Sequence, residues 1–101
     1  MPGSRTDDEW RAMRQIIADA NEVHSFLNTS IGQRLMDDID HEVDSLTEQL
    51  KKVDAENVKE VKRIQDEIWR REYLKVWFNT KLLQGDSVME YIESQDTIQD
   101  L

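Results

Sequence analysis

From Trp10 onward, apolar residues return at steps of three and four: Trp10, Met13, Ile16, Ile17, Ala20, Val23 and Leu27, with His24 on the same stripe. Arg11, Arg14, Asp19 and Glu22 fall largely outside it. This is the period of a helix with one buried face. Thr6-Asp-Asp-Glu9 has the spacing of a capping box, so the first helix is expected to begin there and to run to about Leu27. A second capping box, Ser30-Ile-Gly-Gln33, opens a longer seam of Ile31, Leu35, Ile39, Val43, Leu46, Leu50 and Val53. Asp54 is a good N-cap, and beyond it Val58, Val61, Ile64 and Ile68 resume the pattern. Two long helices joined by so short a link are expected to fold back on each other, Leu50 facing Val61 and Val43 facing Ile68.

Gly85 has the place of a C′ glycine ending the third helix, and Ser87-Val-Met-Glu90 could cap a short fourth. The expected fold is all-α: a long antiparallel hairpin of helices 2 and 3, an N-terminal helix packed at its open end, and a short C-terminal helix. Residues 1–85 would form a three-helix domain with a coiled-coil-like hairpin over 30–85. Residues 86–101 would be an acidic amphipathic helix and tail.

The third helix changes character at Trp69. Up to Ile68 its apolar residues form a stripe of ~120°, which one neighbour can cover, whereas Trp69, Tyr73, Leu74, Val76, Trp77, Phe78, Leu82 and Leu83 spread around most of the circumference. The aromatic stretch is expected first to be core, filled against Ile31 and Leu35 on one side and Trp10, Ile17, Phe26 and Leu27 on another. Two neighbours do not easily cover so much. Trp69, Tyr73, Trp77, Val88, Tyr91 and Ile92 are therefore the candidate surface for a partner or for self-association as a dimer or ring. Segment 86–101 carries Val88, Met89, Tyr91, Ile92, Ile98 and Leu101 among acids, and either docks on a partner or folds back on Trp69 and Tyr73.

Charge narrows the partners. The chain of 101 residues has a formal net charge of -9, yet residues 58–85 hold seven basic and four acidic groups. The rest is acidic, most densely at Asp37, Asp38, Asp40, Glu42, Asp44 and Glu48, which the hairpin would set beside Lys59, Lys62, Arg63, Arg70 and Arg71. Such charges choose register and partner more than they stabilise, at ~0–1 kcal/mol per exposed pair. An acidic surface repels phosphate backbones, so duplex nucleic acid is not an expected partner, and stacking of single strands on the aromatics is disfavoured by the acids alongside. Neither a membrane-spanning run nor a signal-like leader is present in the sequence, and the expected location is the host cytoplasm or a virion.

Candidate chemistry is sparse. Asp37, His41 and Asp44 share a helix face, and Asp38-x-x-His41 imitates a step of di-metal bundles, but helix 3 offers no facing histidine. A solvated face is the expected reading. His24 is expected in a core or interface. Without cysteine, a phosphate cradle or a nucleophile beside a base, no enzyme, cofactor or metal site is assigned.

Three stretches, "FLNTSIGQRL", "LKKVDAENVKEV" and "IQDEIWRREYLKVWF", give the chain from about Phe26 to Gly85 a resemblance to small α-helical accessory or virion-assembly proteins of tailed bacteriophages. The resemblance implies a phage accessory or virion-assembly protein and carries no catalytic residue, and the expected function is a non-enzymatic one, oligomerisation and binding to head, portal or packaging components. The alternative is a small acidic inhibitor of a host nucleic-acid enzyme, with Asp37, Asp40 and Asp44 imitating phosphates. Mimicry needs acids that are exposed and unpaired, so the structural role is favoured.

Overall fold

Thr6 opens the first helix, α1 (Asp7–Leu27), by accepting a hydrogen bond from the Glu9 N–H at 3.1 Å. Asp7, Asp8 and Glu9 fill the first turn, where the helix dipole favours negative charge. In the computed structural model, which describes the backbone of residues 6–99 and the side chains of 6–95, two further helices follow, α2 (Ser30–Lys52) and α3 (Val58–Gln99), and no strand is found among the described residues. The chain is all-helical.

The cap of α2 lies one residue earlier than the capping-box spacing suggests. Thr29 is extended, with φ -81° and ψ 157°, and its hydroxyl accepts from the Gly32 N–H at 3.0 Å, leaving Ser30 as the first helical residue. Asp54 is likewise not a cap: its carboxylate accepts from the Glu56 N–H at 2.9 Å and shapes the link, while the Asn57 side chain accepts from the Glu60 N–H at the start of α3.

The largest departure is at Gly85. α3 runs through it without a break, so the expected short C-terminal helix is the end of a single 42-residue helix. A mid-helix glycine costs ~1 kcal/mol relative to alanine. Here the position faces Ala20 of α1, and a methyl group built on Gly85 would overlap the Ala20 Cβ. Glycine at this place serves close helix approach, not termination. Residues 86–95 continue the helix that carries Trp69 and Tyr73.

The helices form two compact units, and α3 contributes to both. In one, α1 packs with α3 from Asn79 onward. Its buried apolar residues are Ala20 and Val23, and Lys81 reaches Asp19 at 3.9 Å. In the other, Leu27–Phe78, α2 packs with the first half of α3. Its core is Ile39 and Leu46, two turns apart on α2, with Ile64 of α3 only 2% exposed. His24 is exposed, not buried as its place on the apolar stripe suggests. Ile98 and Leu101 lie outside the residues whose side chains are described.

Candidate interaction face

Within the Leu27–Phe78 unit, Glu42 and Asp40 of α2 meet Arg71 and Lys75 of α3, so residue numbers fall along one helix as they rise along the other. Arg71 is the pivot. Its Nε donates to Glu42 at 2.8 Å and its Nη1 to Glu67 at 2.6 Å, and these two hydrogen bonds, Glu67 first, hold the guanidinium above its ordinary pKa. The hydrogen bond from Arg71 holds the Glu67 carboxyl below the usual value, against a smaller opposing effect of burial. Glu60 is lowered in the same direction by its hydrogen bond from Arg63.

These contacts fix which way α3 faces. Arg71, Lys75 and Ile64 lie on the side turned to α2. At ~100° per residue, Tyr73 is nine residues and half a circumference from Ile64. Around Tyr73 lie Trp69, Val76 and Trp77, so these four make one contiguous stripe on the side away from α2. They are exposed: Trp69 64%, Tyr73 53%, Val76 57% and Trp77 41%. The expectation that this stretch is primarily core is therefore overturned for its largest side chains. Phe78 and Leu74 remain half-buried, and the Trp77 ring meets Phe78 edge-on at 5.6 Å between centroids. Trp69 and Tyr73 sit ring to ring at 5.5 Å, tilted by 33°. Aromatic pairs at this separation attract each other and present a preformed surface. Val76 was not singled out by its residue type. The spacing 69, 73, 76 is the signal that places it in the stripe.

Of the six candidate interface residues, Trp69, Tyr73 and Trp77 share this face, while Val88, Tyr91 and Ile92 belong to the other unit and are half-buried there. Val88 and Tyr91 line a shallow apolar groove of about 370 Å³ with Ala12 and Met13 of α1. Leu83 and Ile16 border a neighbouring one of about 390 Å³. Two helices alone do not close these grooves.

The acidic candidates Asp37, Asp40 and Asp44 are all exposed. Asp40 is engaged by Lys75. His41 is exposed beside them, and among the described residues no three histidine or carboxylate side chains gather as a metal would require. No helix among the described residues is long and apolar enough to cross a membrane. Comparison of the chain with protein-family models, curated proteins and solved structures found no match.

Proposed function

We propose that the chain is a non-enzymatic interaction protein that docks on other protein through the Trp69–Tyr73–Val76–Trp77 face of α3. The supporting observation is that these residues are exposed on the side of α3 opposite Ile64. Tryptophan, tyrosine and arginine dominate the energetics of protein interfaces, and Arg70 stands at the edge of this stripe. The setting we propose is virion assembly in a tailed-phage host, with a head, portal or packaging protein as client, in the host cytoplasm or the particle.

Phosphate mimicry is less well supported, because Asp40 and Glu42 are engaged by Lys75 and Arg71. Capture with the tagged chain from infected cells, beside Trp69→Ser/Tyr73→Ser, tests the proposal. Recovery of a head, portal or packaging protein by the native chain and its loss with the variant is the expected result. Recovery of a host nuclease or polymerase, weakened by salt and by neutralising Asp37, Asp40 and Asp44, would turn the reading to the mimic.

A further inference from the structure

We infer that the unit formed by α1 and the end of α3 carries a second docking surface, a groove that takes a basic amphipathic helix of a partner protein. It is independent of the Trp69 face, and either surface can fail alone.

The shallow cavities of about 370 and 390 Å³ both include Ser87 and Val88, so they join into one groove. One wall is Glu9, Ala12, Met13 and Ile16 of α1, and the other runs along α3 from Thr80 to Tyr91 at the same steps of three and four. Glu9 and Tyr91 mark one end, Ile16 and Thr80 the other, so the walls run antiparallel. At 1.5 Å per residue the α3 wall is about 17 Å long, three turns of helix. Met13, Ile16, Val88 and Tyr91 are half-buried along it, and Leu83 stands 65% exposed.

The shape selects a helix. Two helices side by side leave a channel that a third fills with residues spaced three and four apart. The backbone groups of both walls are spent within their own helices. An extended segment would find no partners there for its N–H and C=O groups, whereas a helix brings its own. The groove is too open to enclose a small molecule.

Charge selects the sign. The described side chains of this unit, residues 6–26 and 79–95, carry eight acidic groups against three basic. Glu9 lines the groove, and the exposed Glu90 lies one turn from Ser87. Of the basic groups, Lys81 is paired with Asp19 at 3.9 Å. Arg11 and Arg14 each lie about 150° around α1 from the mean direction of its groove residues. An apolar floor with an acidic border repels nucleic acid, anionic lipid and the same unit of a second copy. It attracts lysine and arginine that flank an apolar stripe.

Titration of the full chain with a labelled helical peptide, leucines at steps of three and four and lysines on the flanks, tests this by anisotropy. Micromolar binding is expected. Leu83→Glu should weaken it by about 10-fold although it adds negative charge, and Glu90→Lys by about 3-fold, both with unchanged helical circular dichroism. The same peptide with glutamate for lysine should bind more weakly by about 10-fold or more. Trp69→Ser/Tyr73→Ser should leave the affinity as it is.

No binding at ~1 mM peptide, or equal binding of the two peptides, overturns the inference. Tighter binding to Leu83→Glu overturns it too, because charge alone would then hold the peptide. Loss of binding with Trp69→Ser/Tyr73→Ser but not with Leu83→Glu moves the site to the other face. A dimer of the chain that Leu83→Glu disperses gives the groove to a second copy, and binding gained only on removing residues 1–5 gives it to the chain's own N-terminus. Each of these three results is likewise against a partner helix in this groove.

Discussion

Ile64 and Tyr73 stand nine residues apart on one unbroken helix, and one is 2% exposed while the other is 53% exposed. Both faces of α3 in this unit are apolar, yet only the Ile64 face is met by α2. The difference teaches that amphipathic period identifies residues that travel together and not the surface that covers them. On the Ile64 side, ion pairs from Arg71 and Lys75 border the core and set its register. On the Tyr73 side, Trp69, Tyr73, Val76 and Trp77 stay exposed.

Substitution separates the two faces most sharply. Ile64→Ala should lower stability by ~2–5 kcal/mol through lost burial and a residual cavity, read from denaturant unfolding. Trp69→Ala, despite removing a larger side chain, should change the stability of the dissociated chain by only ~0.5 kcal/mol. If Trp69→Ala is as damaging as Ile64→Ala at a dilution where the chain is monomeric, the faces are not distinct.

The covered side of the other unit gives the next effect. Gly85→Val should cost ~1–3 kcal/mol, because the added methyls meet Ala20 and the helices must part. A smaller loss is expected at the cap of α2. Thr29→Ala removes the acceptor for the Gly32 N–H and should cost ~0.5–2 kcal/mol.

The smallest effect concerns acid. Glu67 and Glu60 have folded pKa values below the ordinary 4.5, so their contribution to stability is present above that value and is lost as pH falls through the lower folded one. Glu67→Gln should flatten the decline of melting temperature on acidification below pH 4.5. An unchanged decline would show that the Glu67–Arg71 bond within α3 does not contribute to stability.

Much of this was legible in the sequence. Periodicity and polarity identify three amphipathic segments, the Thr6 start of α1, and the seam residues Ile39, Leu46 and Ile64. Gly85 was not readable, since a glycine without Cβ suits a helix end and a close crossing equally, and only the presence of Ala20 opposite decides between them. The fate of the aromatics was half readable. Their spread around α3 shows that two neighbours cannot cover them all, and the nine-residue offset of Tyr73 from Ile64 already places the uncovered side. Hydrophobicity nevertheless favours burial of tryptophan, and it carries no record of whether the burying surface belongs to the same chain. His24, expected in a core or interface, is exposed in the single chain, so its place on the stripe does not make it core.

The most direct measurement is the emission of Trp69, in a chain carrying Trp10→Phe and Trp77→Phe so that one indole reports. On the exposed face Trp69 should emit toward the red in the dilute chain and shift to the blue when a recovered head, portal or packaging protein is added. Emission that is already blue-shifted in the dilute chain, or that no recovered protein alters, would contradict docking through this face of α3.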